Sequence, residues 1–316
     1  MTRGGLIARS PAMRELVRQI RRFAATDANV LITGETGVGK NAVALALHAN
    51  GPRRHEPFVH IDCPSLPRSL LEAELFGHEI GAFTDASAAR PGRFEQAGRG
   101  TVYLDNVSEL PPDVQGKLLR IVEDRRIERL GATAWIEMQA RIISSAGFDL
   151  EDSVRRGEFR DDLYHRLRVL PLPIPPLRDR RADLMPLARR FLREAAQRHD
   201  RGPLTLTPAA IAALERYPWP GNVRELRHTI ERAVIGIDAA RTTLDVGDVP
   251  LDILNGSDAM FGSAGSEKKR PSLEEVERRY IEIILREARG NQTRAAAILG
   301  ISRKALWEKR KKLQLH

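Results

Sequence analysis

The sequence predicts an α/β protein: a parallel, doubly wound sheet, then a smaller all-helical part, a linker and a C-terminal helical domain. Three observations carry this. Short apolar runs at Asn29–Thr33, Phe58–Ile61, Thr101–Leu104, Ala140–Ser145 and Val169–Ile174 alternate with helix-forming segments, and strands that alternate with helices pair in parallel. From Arg181 to about Val249 the pattern turns helical, at Asp183–Arg198, Pro208–Tyr217 and Asn222–Ile237. A glycine-rich run, Gly34-Glu35-Thr36-Gly37-Val38-Gly39-Lys40, follows the first apolar run directly. The expected divisions are 1–178 for the α/β part, 179–254 for the all-α part, 255–271 for the linker and 272–316 for the terminal domain.

In chain order, residues 6–26 read as a helix with Pro11 at its start and Leu16, Val17 and Ile20 on one side. The first strand then meets Gly34–Lys40, and Asn41–Asn50 continues as helix. Strand, glycine turn and helix is the context of a phosphate-binding loop, whose backbone N–H groups face one anion while Lys40 reaches the outer phosphates of a nucleotide. An ordinary glycine turn is the competing reading, and GxxxxGK after a strand argues against it. Asn41 stands where Ser or Thr usually offers a hydroxyl to Mg²⁺. Phe58–Ile61 ends at Asp62, and Leu66–Leu75 follows as helix. Phe76–Ala86 is apolar and glycine-containing, without a clear period. Asp105, closing the strand Thr101–Leu104, is the natural carboxylate for Mg²⁺ or water in a phosphate-loop protein. Pro111–Glu123 reads as helix, and Pro171–Pro176 ends the sheet.

The 316 residues carry a net charge of +9, and residues 267–316 hold 14 Lys+Arg against 7 Asp+Glu. A basic tail on a near-neutral body points to nucleic acid; a solvated charged helix is the alternative. Asn255–Ser266 is rich in Gly, Ser and Asp and reads as a flexible linker. Ser272 and Glu275 form a capping box, Val276, Tyr280 and Ile284 an apolar stripe, and Gly290 a helix end. A short helix, Arg294–Leu299, the turn at Gly300 and a last helix capped by Ser302, Arg303–Leu313, have helix-turn-helix spacing. A plain helical hairpin has the same outline. Ser302, Arg303, Lys304, Trp307, Lys309, Arg310 and Lys311 are the expected DNA-binding residues, Arg303 and Lys304 at base edges and the later basic residues on phosphates. The one cysteine, Cys63, excludes an internal disulfide and fits a reducing compartment. With no signal pattern or long apolar run, a cytoplasmic protein without membrane contact is expected.

Residues 6–250 resemble the AAA+ domain of bacterial sigma-54-dependent transcriptional activators, and 272–315 resemble their Fis-type DNA-binding domain. The most specific match is Glu74-Leu75-Phe76-Gly77-His78-Glu79 running into Gly81-Ala82-Phe83-Thr84-Asp85-Ala86, similar to the family's GAFTGA loop. The resemblance implies an all-α lid on the AAA+ sheet, ATP and Mg²⁺ as cofactors, and sigma-54 RNA polymerase as a partner touched by Phe83 and Thr84. It implies a homo-oligomeric ring, expected to be a hexamer, that binds double-stranded DNA as dimers. Arg160 and Arg166 match arginine fingers that reach the neighbouring subunit's nucleotide, and Arg224, in Trp219-Pro220-Gly221-Asn222-Val223-Arg224-Glu225-Leu226, matches the lid arginine that senses the γ-phosphate. Surface arginines in intrachain ion pairs are the structural alternative.

Four positions depart from the resembled pattern. Asn106 stands where the family has the glutamate that activates water, Gly147 where it has an asparagine sensor, Asp85 at the loop's second glycine, and Asn41 where glutamate is usual. Asp62 takes the place of an asparagine that partners the missing glutamate, so a relocated catalytic carboxylate at Asp62 is one expectation. The rival reading is an ATP-responsive DNA-binding regulator without hydrolysis or remodelling. A small-molecule phosphate-loop kinase is a third, unsupported by the tail. No receiver or ligand-sensing domain precedes Leu6, so control is expected from a separate protein, from abundance or from a domain missing here.

Overall fold

The computed structural model describes residues 5–65, 68–83, 86–238, 240–249, 281, 284 and 292–312. The chain forms two compact units, one of residues 1–205 and 221–244 and the other of 206–220 and 245–316.

The first unit is built on five strands: β1 (Val30–Thr33), β2 (Phe58–Asp62), β5 (Thr101–Asp105), β8 (Arg141–Ala146) and β9 (Leu170–Pro173). They pair in parallel in the order β2-β5-β8-β1-β9. Alternate residues face opposite sides of a strand, so each apolar run fills two cores. Leu31, Ile61, Val102, Leu104 and Ile142 pack on one side against α3 (Arg68–Phe76), α5 (Pro112–Asp124) and α7 (Asp161–Leu167). Val30, Ile32, Tyr103, Ile143 and Leu172 pack on the other against α1 (Pro11–Ala24) and α2 (Lys40–Ala49). Ser10 caps α1 by accepting from the Met13 amide at 3.2 Å, which fixes the Pro11 start.

Two hairpins have no counterpart in the sequence expectation. β3 (Gly77–His78) pairs antiparallel with β4 (Arg90–Pro91), at the ends of the stretch that showed no period. β6 (Arg126–Glu128) pairs with β7 (Trp135–Glu137) between α5 and β8. Strands of two or three residues are too short to display alternation. Short helices α4 (Arg93–Gln96) and α6 (Leu150–Arg155) complete this part. The unit continues into α8 (Leu184–Arg198) and α10 (Asn222–Gly236), which pack together with the Arg227 guanidinium 4.8 Å from the Phe191 ring centre.

The second unit holds α9 (Pro208–Arg216), capped by Thr207, and a buried Trp219 whose indole donates to the Leu214 carbonyl at 2.9 Å. Towards the C-terminus, α11 (Gln292–Leu299) turns through Gly300 at φ +66° into α12 (Arg303–Lys312). Ile281, Ile284, Ala296 and Leu306 form their core, joined by Leu299 and Ile301. The Ser272–Glu275 capping box, Val276, Tyr280, Gly290 and the linker lie outside the described residues. Among the described residues no helix is long and apolar enough to cross a membrane.

Candidate functional site

Gly34–Lys40 leaves the C-terminal end of β1 and enters α2, with the Gly34 amide donating to the Ala146 carbonyl at 3.3 Å. Gly37 and Gly39 have φ of +80° and +106°, a region that favours glycine. A Cβ on Gly37 would also stand 2.3 Å from the Gly221 carbonyl oxygen, so no other residue fits there. Lys40 folds over the loop, its Nζ donating to the Gly34 carbonyl at 3.0 Å. Burial pushes the Lys40 ammonium below the ordinary lysine range; Asp105 and Asp149 oppose this and Arg224 reinforces it. A desolvated cation beside a helix N-terminus is what an anionic phosphate chain relieves.

Asp105 lies at the end of β5, in register with Asp62 on β2. Burial alone would raise its carboxyl, but the neighbouring His60 and hydrogen bonds from Ser145 and Tyr103 outweigh it and hold the pKa at about 2. His60 Nε2 is 3.6 Å from Asp105 Oδ2, and Ser145 Oγ donates to Oδ1. Tyr103 Oη is 2.9 Å from both Asp105 Oδ1 and Asn41 Oδ1, so its single proton serves one at a time. Burial and Asp105 push that phenol far up. Burial likewise pushes the Cys63 thiol to about 12, consistent with a packing role. Asn106 adopts φ +57°, and its amide donates to Ser145 Oγ at 3.2 Å. Asp62 is exposed at its strand end.

The lid segment grips the loop from the other side. Asn222, fully buried at φ +54°, accepts from the Leu177 amide at 2.8 Å and donates to the Thr36 carbonyl at 3.1 Å and to Glu35 Oε2 at 3.0 Å. The Glu35 carboxylate also takes a two-pronged bond from Arg178, the main reason its pKa is lowered. The amides of Val223 and Arg224 both donate to the Gly37 carbonyl, at 3.0 and 3.2 Å. The Val38 carbonyl accepts from buried Arg180 at 2.7 Å. Arg224 thus begins α10 directly beside the loop, in a cleft of about 620 Å³ shared with Thr36, Gly221, His228 and Arg232. Sequence reasoning missed Tyr103, His60, Ser145, Arg178 and Asn222 as site residues, although Asn222 belongs to a quoted motif.

Arg160, at the start of α7, pairs with Asp162 at 2.8 Å, and Arg166 pairs with Glu123 at 2.9 Å. Both arginines are exposed, and such pairs are weak enough to exchange for a phosphate. In the Gly81–Ala86 loop, the Gly81 amide donates to the Ala86 carbonyl at 2.9 Å, and the half-exposed Phe83 ring sits 4.9 Å from His78. Ala82 forms part of this turn, while Thr84 and Asp85 lie outside the described residues. On α12, Ser302 Oγ accepts from the Ala305 amide at 3.1 Å, and Ser302, Arg303, Lys304 and Trp307 are exposed around the buried Leu306. Lys309 and Arg310 are half-buried.

A family model described as the sigma-54 interaction domain matches residues 6–173. The AAA+ ATPase lid domain matches 178–264, and the Fis family of bacterial regulatory proteins matches 272–313. The chain is 41% identical to the regulatory protein AtoC of Escherichia coli over 97% of its own length and 67% of AtoC. It is 43% identical to the transcriptional regulatory protein ZraR of Klebsiella oxytoca, over 96% of its own length and 68% of ZraR. A crystal structure of NtrX from Brucella abortus in complex with ATP superposes with a TM-score of 0.72 at 34% identity, covering 99% of this chain and 70% of NtrX. A parallel sheet with a phosphate loop at its C-terminal edge, an AAA+ lid and a Fis-type helix-turn-helix therefore place the chain in the family of bacterial sigma-54-dependent transcriptional activators.

Proposed function

We propose that this protein is an ATP-binding, DNA-binding transcription regulator that assembles as a ring and contacts sigma-54 RNA polymerase through Gly81–Ala86. The observation that carries the reading is the convergence of Gly34–Lys40, Asp105 and Arg224 at one end of the sheet. The backbone of Gly34–Lys40 would cradle the phosphates, with Lys40 on the outer ones. Asp105, ionised at neutral pH, would hold Mg²⁺, which neutralises phosphate charge. Asn41 supplies an amide oxygen where a hydroxyl is usual. Arg160 and Arg166 would complete the site of the adjacent subunit in a hexamer, and Arg224 would sense the γ-phosphate. The Asn222–Thr36 and Arg178–Glu35 bonds give the lid a direct hold on the loop, so loss of the γ-phosphate can be felt by α10 and returned to Gly81–Ala86. The α12 helices would bind double-stranded DNA as dimers in the cytoplasm.

A second reading, a regulator that binds ATP without hydrolysing it or remodelling polymerase, is favoured by Asn106 and Gly147. The test is native-gel capture of purified sigma-54 by protein incubated with ADP and aluminium fluoride. Capture that Phe83→Ala abolishes, while nucleotide affinity stays within about twofold, supports the first reading. No capture by protein that demonstrably binds the trapped nucleotide rules it out.

A further inference from the structure

We propose that Asp149 is the carboxylate that takes the proton from the attacking water, in place of the glutamate absent at Asn106. The proposal rests on the ATP-binding reading above.

Position in the sheet is the first support. β8 is the immediate neighbour of β1, with Thr33 opposite Ala146. Asp149 follows within three residues of that strand end, whose Ala146 carbonyl accepts from the Gly34 amide of the phosphate loop at 3.3 Å. Asp62 closes β2, three strands from β1 in the order β2-β5-β8-β1, roughly 14 Å away at a strand spacing of about 4.8 Å. Asn106 is nearer than Asp62, but an amide cannot accept the proton.

Gly147 supplies the second support. A Cβ built there would stand 2.2 Å from Asp149 Oδ1, so the Asp149 carboxylate occupies the volume that a sensor side chain at 147 would need. The departure at 147 thereby acquires a use. The usual role of an aspartate at a helix start is capping, and Asp149 makes no capping hydrogen bond; its backbone carbonyl, not its carboxylate, receives the Ser153 amide at 2.9 Å. Among the described residues, Lys40 from α2 and Arg156 beyond α6 are within electrostatic reach of it. Lys40, within electrostatic reach of Asp149, is the side chain that would bind the outer phosphate. In the step, Asp149 accepts a proton from water as the water oxygen bonds to the γ-phosphorus. The bond from that phosphorus to the β–γ bridging oxygen breaks, ADP leaves with its electron pair, and Asp149 then releases the proton to solvent.

The test combines binding and cleavage in the full chain, with Asp149→Asn and Asp62→Asn as variants. Single-turnover ATP cleavage should fall about 100-fold or more in Asp149→Asn, the usual worth of a general base, and stay within about twofold in Asp62→Asn. Independently of activity, Asp149→Asn should bind a non-hydrolysable ATP analogue several-fold more tightly than wild type does, because a charge facing the γ-phosphate is gone, while ADP affinity is unchanged. A merely structural role would move both nucleotides together. Wild-type cleavage in Asp149→Asn, parallel shifts for both nucleotides, or no single-turnover cleavage by nucleotide-bound wild type each overturns the proposal. Failure of wild type to bind the analogue overturns the ATP-binding reading with it.

Discussion

At the residue scale, the site is held by side chains whose partners are far apart in sequence. Asn222 joins Leu177, Glu35 and Thr36 from a buried position at positive φ. Its replacement by alanine leaves the Leu177 amide unpaired and retains the backbone strain, so we expect a loss of about 3 kcal/mol in chemical denaturation. Asn222→Asp keeps the acceptor but places a second carboxylate on Glu35, and should cost stability at neutral pH as well. Asp105 makes an acid-side prediction. Its carboxyl, depressed from 3.8 to about 2 by hydrogen bonds that outweigh burial, contributes stability fully above 3.8. That contribution, about 2 kcal/mol, is lost as pH falls through the folded-state value. Urea melts from pH 6 down to about 2.5 should show wild type losing most of this increment relative to Asp105→Asn. None of these partnerships was legible beforehand, since a single sequence shows residue types but not which of them meet across a fold. The phosphate loop was legible because its chemistry is local: three glycines, a lysine and a strand before them.

At the scale of elements, the five strands and the longer helices were readable because each keeps one period over enough residues to display it. The hairpins β3–β4 and β6–β7 were not, because strands of two or three residues are too short to show a period. The C-terminal pair α11–α12 was readable from Gly300 and Ser302, and the structure adds what packs it: Leu306 is buried with Ile281, Ile284 and Ala296. Leu306→Ala should cost about 2–5 kcal/mol and weaken DNA binding indirectly through loss of helix, visible by circular dichroism. Arg303→Ala should instead relax base preference at a cost of about 1–3 kcal/mol with helicity intact. Lys311→Ala should weaken all sequences alike and lower the salt slope by about 1. If protein ending at Asn255 binds the same DNA equally well, α12 is not the DNA-binding element.

At the scale of the whole molecule, the proposed ring follows from Arg160 and Arg166, which are exposed at the start and on the last turn of α7 and pair with surface carboxylates, Asp162 and Glu123, of their own chain. A nucleotide that bridges subunits favours the oligomer by mass action. Light scattering should therefore show a larger species with a non-hydrolysable ATP analogue than without, and Arg166→Ala should abolish the difference while leaving analogue binding by the monomer within about threefold. A monomer under both conditions, well above saturation of the nucleotide site, would count against the ring. Action on sigma-54 polymerase is the function proposed for this chain. Permanganate footprinting of a sigma-54 promoter, with sigma-54 holoenzyme, this protein and ATP, tests it most directly. The expected result is slow promoter melting that requires ATP, is not supported by the non-hydrolysable analogue and is lost in Phe83→Ala; an unmelted promoter at saturating ATP, with protein shown to bind nucleotide and DNA, would contradict this function.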